Sequence, residues 1–249
     1  MPSTPERRRH AASGAARMNN SGYRYLNLLT AIFVTTLVVS NIIAVKLIGI
    51  GGLVVPAAVI LFPVAYIFGD VLTEVYGYQR ARQVIWIGFF CNLLAVLAIW
   101  IAGLLPPAAF WNAGLYGTPE DAQQAYQAIL GFTPRLLLAS FIAYLVGEFL
   151  NSFVLARLKV RTQGRYLWLR TISSTVIGQG ADSFIFITLA FWGIIPPAGL
   201  LTAILSQWLV KVVFEVIATP FTYIIVNALK RAEGVDVFDR ETNFNPLAF

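Results

Sequence analysis

Charge is scarce in this sequence. Only 12% of its 249 residues are Asp, Glu, Lys or Arg, against roughly 25% in an average soluble domain. With 58% hydrophobic residues and a mean hydropathy of +0.72, this excludes an ordinary soluble globule and a disordered chain. Cysteine is represented by Cys91 alone, which excludes a disulfide scaffold. Histidine is represented by His10 alone, in a polar stretch. A His/Cys metal centre needs several ligands and a Ser-His-Asp triad needs a placed imidazole, so neither is expected. No GxxxxGKS or GxxxxGKT stretch occurs, so ATP hydrolysis through a P-loop is excluded. These absences predict no cofactor and no enzymatic activity.

What is present is long apolar runs. A transmembrane helix takes about 20 apolar residues, so the length allows five to seven spans. Residues 1–22 are polar and small, with Arg7, Arg8, Arg9 and Arg17, and read as a disordered basic tail. The apolar run from Leu26 to Val45 has 20 residues, too long for the core of a signal peptide, so it reads as a retained first span. Apolar runs and breakers predict spans at 24–46, 56–77, 83–104, 134–157, 171–193 and 199–229. Pro56 suits the first turn of the second span and Gly77 its end. Pro220 is expected to kink the sixth. Between spans three and four, 119–130 reads as a short surface helix; 231–249 reads as a polar cytoplasmic tail. No strand pattern is evident. The fold class is an all-α integral membrane protein, its six-helix domain covering 23–230.

Lys and Arg set the orientation. The N-terminal tail, the second and fourth connections and the C-terminal tail hold fifteen of them, and the opposite side holds two, Lys46 and Arg135. That asymmetry predicts both termini in the cytoplasm. It also accounts for the net charge of +6 without nucleic acid, which needs a continuous basic face.

Apart from Arg24, Lys46, Arg135 and Arg157 at span ends, six charges fall inside predicted spans: Asp70, Glu74, Glu148, Asp182, Lys211 and Glu215. A charge at the bilayer centre costs from about 2.5 to more than 10 kcal/mol. Counted from the outer ends of their spans at about 1.5 Å per residue, Asp70, Glu148, Asp182 and Lys211 all lie roughly 17–21 Å deep. Four helices thus place a charge in one layer near the midplane, a feature of transporters. Asp70 and Glu74, and Lys211 and Glu215, are spaced i, i+4; Glu148 and Asn151, and Gln179 and Asp182, are spaced i, i+3. Each pair shares a helix face. Lys211–Glu215 reads first as an internal ion pair, and Glu74 as facing cytosolic water near Arg80 and Arg82. With acids in excess, either some carboxylates are protonated or a cationic or donor-rich ligand belongs there. Polar residues that merely join helices are the competing reading.

Several of these segments resemble one family. Ser40-Asn41-Ile42-Ile43-Ala44-Val45-Lys46 resembles the end of the first helix of the queuosine precursor (vitamin uptake) transporters. Gly69-Asp70-Val71-Leu72-Thr73-Glu74-Val75-Tyr76-Gly77 with Ala81-Arg82 resembles their second-helix motif. Gly147-Glu148-x-x-Asn151 resembles the fourth helix, and Arg170-Thr171-x-Ser173-Ser174 with Gly178-Gln179-x-x-Asp182-Ser183 the fifth. Lys211-x-x-x-Glu215 with Pro220 resembles the sixth. The likeness runs in order from about residue 25 to 230.

The resemblance implies a bacterial inner-membrane importer of 7-cyano- and 7-aminomethyl-7-deazaguanine. It also implies a fold akin to the substrate-binding subunits of energy-coupling-factor transporters. Those subunits dock on an ATPase through a small-xxx-small patch on the first helix; here the spacing is Ala31 to Thr35, which favours a stand-alone secondary transporter. A deazaguanine presents ring N–H and NH2 donors beside a carbonyl. On that chemistry Glu148 or Asp182 takes the donor edge, Gln179 or Asn151 the carbonyl, and Asn41 and Lys46 close the outer side. Asp70, Glu74, Lys211 and Glu215 complete the candidate set. An aromatic, among Tyr66, Trp86, Tyr144, Phe184 and Trp208, stacks on the ring. The expected partners are this base and the lipid bilayer, with a homodimer as a further expectation. The alternatives are a subunit of an ATP-driven complex, a transporter of another small polar compound, and an intramembrane aspartyl protease using Asp70 and Asp182. The last lacks a Gly-x-Gly-Asp motif, since Ala181 precedes Asp182.

Overall fold

The first apolar run folds as α1, Leu26–Ile43. In the computed structural model, which describes residues 23–50, 53–112, 114–131 and 134–248, the chain next makes an element the sequence reading missed. β1, Leu47–Ile50, and β2, Leu53–Pro56, form an antiparallel hairpin pairing Leu47 with Pro56 and Ile50 with Leu53. The signal was there: β-branched Ile48, Ile50, Val54 and Val55 favour strand, and Gly51-Gly52 between two such runs is a hairpin sequence. The expected disordered tail, 1–22, lies outside the described residues.

The hairpin and a 3-10 turn, Ala57–Ile60, use up the start of the predicted second span, so α2 is only Phe62–Tyr76. Pro63, not Pro56, falls in its first turn, and Gly77 closes it as expected, at φ 81°, where a side chain would be strained. α3 is Tyr78–Leu104, α4 Pro119–Leu130, α5 Pro134–Arg161, α6 Leu167–Phe191 and α7 Pro197–Glu233, which contains Pro220. The expected surface helix is α4: the Thr118 hydroxyl accepts from the Asp121 amide at 3.1 Å, with Pro119, Glu120 and Asp121 opening it, a capped start with acids against the helix dipole.

The architecture is almost wholly helical, and five of its helical stretches are long and apolar enough to cross a membrane. The second expected span is the exception. α2 has 15 residues, about 22 Å at 1.5 Å per residue, short of the roughly 30 Å hydrocarbon core. Its neighbours explain how it stays there: α1, α3, α5 and α7 all pack against it, and Val71, Leu72, Thr73 and Val75 are at most 2% exposed. A helix enclosed by protein need not match the bilayer. The outward faces behave oppositely. Leu94, Leu97, Ile101 and Leu104 on α3 and Leu201, Leu205, Leu209 and Val213 on α7 are exposed at helical spacing, apolar stripes suited to lipid.

The polar C-terminal segment is laid across the helix ends as a strap. The Phe244 ring sits 4.9 Å from that of Tyr78 and 5.2 Å from that of Phe153, with the Arg157 guanidinium 4.4 Å above it. Arg82 donates to the carbonyls of Asn243 and Asn245, Trp86 to that of Pro246 and Tyr78 to that of Phe244. Asp239 accepts from the Tyr78 amide at 3.0 Å. Closer to α7, burial disfavours the Asp236 charge, but bonds from Lys159 and Lys230 hold its carboxyl below the usual carboxylate range. A depressed folded-state value stabilises at pH above the unfolded value of 3.8, and that contribution is lost as pH falls through the folded value. We therefore expect Phe244→Ala to free the tail for proteolysis at neutral pH. In the wild type the tail is expected to become cleavable by pepsin only in acid, while Asp236→Asn is cleaved at higher pH. A tail equally resistant in all three contradicts the anchoring.

Candidate functional site

Two helices come unusually close in the middle of the bundle. A Cβ added to Gly147 on α5 would lie 2.8 Å from the Asp182 Cβ of α6, and one on Gly178 would lie 2.7 Å from both the Asn151 Cβ and the Gly147 carbonyl oxygen. Only glycine allows that approach, and it brings Glu148 and Asn151 against Gln179 and Asp182. The residues gave no reason for these glycines beyond motif membership. Gly178→Ala should force the helices apart at a cost of about 1–3 kcal/mol; a thermal midpoint and an uptake rate both unchanged would contradict the crossing.

α2 crosses α5 in the same region. The Asn151 amide donates to Asp70 Oδ1 at 2.9 Å, and the Thr73 hydroxyl donates to that of Ser152 at 3.1 Å. Gly69 lies against the Glu148 carboxylate, 3.5 Å from where its Cβ would be. Gly69-Asp70-x-x-Thr73 and Gly147-Glu148-x-x-Asn151 thus face each other where α2 crosses α5.

From α7, Lys211 reaches Asp182 on α6 and pairs with it, both side chains being 19% exposed or less. This corrects the expected Lys211–Glu215 pair: the neighbouring helix supplies the counter-ion, and Glu215 is left facing elsewhere. Glu215 is fully buried. The Thr171 and Thr175 hydroxyls are its nearest donors, but neither carboxylate oxygen completes a hydrogen bond. Glu148 lies within electrostatic reach of Asp182 and Lys211. Tyr66 on α2 faces Asp182, Glu148 and Glu215 together. Asp70, Tyr66, Glu148, Asn151, Asp182, Lys211 and Glu215 therefore form one polar cluster contributed by α2, α5, α6 and α7. Gln179, 6% exposed on α6, lies one turn from Asp182 beside the close crossing. Asp70 holds Asn151, and Asp182 holds Lys211.

Three expected site residues lie elsewhere. Asn41 donates to Asn92 on α3 at 2.9 Å, a tie between α1 and α3. Lys46 is exposed past the end of α1. Glu74 does not face cytosolic water: it is 0% exposed and bound by Arg170 through two bonds of 2.8 and 3.2 Å, by Lys230 at 2.7 Å and by Lys159 at 3.6 Å. Arg80 and Arg82 point away, to Gln83 and to the strap. Lys159 also bonds the carbonyls of Glu74 and Val237 and the Asp236 carboxylate, each at 2.5–2.6 Å. This buried network joins α2, α5, α6, α7 and the strap. Counting Lys159 and Arg170 as loop charges missed it, because both are 1% exposed; no spacing in the sequence pairs them with Glu74. Of the aromatic candidates, Phe184 is 58% exposed to the outside, Trp86 serves the strap, Tyr144 donates to the Ile85 carbonyl and Trp208 to that of Val176. Tyr66 faces three acids of the cluster, and Tyr144 lies within reach of Glu148 alone among them.

The family described as "Putative vitamin uptake transporter" matches residues 56–225, the stretch that holds every residue of this cluster. A protein named "Probable queuosine precursor transporter" from Bacillus subtilis is 30% identical over 187 residues, 75% of this chain and 78% of that protein. A protein of the same name from Haemophilus influenzae is 28% identical over 134 residues, 53% of this chain and 49% of its own. The "Queuosine precursor transporter" of Escherichia coli is 28% identical over 134 residues, 53% of this chain and 52% of its own. No solved structure matches the chain.

Proposed function

This chain belongs to the vitamin uptake transporter family, and we propose that it imports queuosine precursors, 7-cyano- and 7-aminomethyl-7-deazaguanine, across a bacterial inner membrane. The observation that carries the proposal is a carboxylate without a counter-ion of its own at the helix crossing. Lys211 is taken by Asp182, whereas Glu148 has no salt bridge among the described residues. A deazaguanine offers two N–H donors on one edge, which a carboxylate accepts side by side. Glu148 takes that edge in this reading, and Gln179 takes the neighbouring carbonyl, since Asn151 is engaged with Asp70. Tyr66 stacks on the ring. Asp182 and Lys211 frame the site and set its charge, and the acidic surroundings suit the cationic aminomethyl form. Asn41 and Lys46 take no part.

The transporter works alone in this reading, because α1 carries Ala31 and Thr35 where an ATPase-docking helix places paired alanines. The test is uptake into liposomes holding only this protein. The base should enter, and hypoxanthine, which lacks the exocyclic NH2, should compete poorly. Entry that requires a co-purifying ATPase pair would support the ATP-driven alternative. Indifference to the NH2 group would remove the Glu148 assignment.

A further inference from the structure

Four acids lie in the polar cluster, and one base, Lys211, accompanies them. Asp182 uses that base. Among the described residues, Lys159, Arg170 and the part-buried Lys230 converge on Glu74, and buried Arg82 is held by the strap. Asp70 is thus left without a cation, although it is 1% exposed. The charged groups that face it are all acidic: Glu215 from α7, Glu148 from α5 and Glu74 one turn along α2. An isolated ionised carboxylate in such a place is costly enough that neutralisation is the usual outcome.

The hydrogen bonding points the same way and is independent of the charge count. Asn151, 6% exposed, gives its amide N–H to Asp70 Oδ1. Among the described residues, neither its own Oδ1 nor Asp70 Oδ2, both buried, has a hydrogen-bond partner. These are two acceptors with nothing to accept, on side chains already joined by one bond. A proton on Asp70 Oδ2 makes Asp70 a donor as well as an acceptor, and a carboxylic acid and a primary amide then match at both positions. Beside them Glu215 has both oxygens unsatisfied, facing Thr171 and Thr175 from α6. Tyr66 faces three of these acids, and Tyr144 lies within electrostatic reach of Glu148.

We propose that Asp70 carries a proton in this conformation, held by Asn151 and made available to Glu215, and that its loss and recovery couple transport to the proton gradient. Asp70 keeps the acid form while the site is dry. When the site opens to cytosolic water, the O–H bond breaks, the proton leaves as hydronium and Asp70 becomes a carboxylate; reopening to the acidic outer side reverses this. The coupling rests on the transport reading. The proton on Asp70 does not.

Infrared spectroscopy of the purified full-length protein tests the second point without any substrate. At pH 7 the wild type should show a protonated-carboxyl C=O band that shifts in D2O. Asp70→Asn should lose the component due to Asp70, Asn151→Ala should shift that component by removing the acceptor, and Glu148→Gln should retain it. A wild type with no such band overturns the proposal, even if no variant folds. So does a band left unchanged by Asp70→Asn, or an Asp70 component that disappears in Glu148→Gln. In liposomes, an acidic exterior should drive 7-cyano-7-deazaguanine above its equilibrium ratio in the wild type, and Asp70→Asn should lose that accumulation. Accumulation driven by sodium at equal pH overturns the coupling. No entry of the base under any gradient, with the infrared band present, overturns the transport reading and leaves the proton on Asp70 standing.

Discussion

Replacing Glu148 by Gln is expected to cut uptake of a deazaguanine base about 100-fold while the protein stays folded in the membrane. A carboxylate accepts two donors side by side; an amide offers one acceptor and turns its own NH2 toward the other donor. Unsatisfied buried polar groups cost about 1–3 kcal/mol each, so two affected donors give roughly that factor. Stability should hardly change, because Glu148 makes no ion pair of its own among the described residues. Asp182→Asn differs in a way that separates binding from architecture. It should abolish uptake and also lower the thermal midpoint, since it strands Lys211, 10% exposed, without its counter-ion. Normal uptake by both variants would remove the proposed site.

Glu74→Gln should have the largest effect on stability. Glu74 is 0% exposed and faces Arg170 and Lys159, each 1% exposed, and Lys230. Burial of these charges is tolerable only because they satisfy one another. Removing one partner of a buried pair typically costs about 3–5 kcal/mol, which for a chain of this size corresponds to about 10 °C in the thermal midpoint. Here the loss leaves three cations against Asp236 alone. A double-mutant cycle with Arg170→Gln should show a coupling of about 1 kcal/mol or more, because the second change removes a charge the first has orphaned. A midpoint within a degree of wild type for Glu74→Gln would show that the cations find water instead.

The two variants divide the acids of α2 and α5 by role, a division only partly legible in the residues. Counting depth along predicted spans put Asp70, Glu148, Asp182 and Lys211 in one layer, and the structure brings all four into one cluster. Depth works because it depends on rise per residue, a local quantity. Partner choice is not local. Lys211 and Glu215 share a helix face, yet Asp182 of α6 lies nearer in space to Lys211. Glu74 stands one turn from Asp70, yet its cations come from positions 85 to 156 residues away. The hairpin after Lys46 is readable from its β-branched residues. The brevity of α2 followed from the hairpin. The strap was invisible: Phe244 in a polar tail has no periodicity to announce that it packs on Tyr78 and Phe153.

The most direct test of the account is the queuosine content of tRNA. The chain is expressed in a bacterium that lacks both its own precursor synthesis and its own importer, and a deazaguanine base is fed at nanomolar concentration. Queuosine should appear in tRNA with the wild type and vanish with Glu148→Gln at equal membrane abundance. Tests of this kind read cargo and site together. No queuosine from wild-type protein shown to be in the membrane, or undiminished queuosine with the variant, would contradict the account.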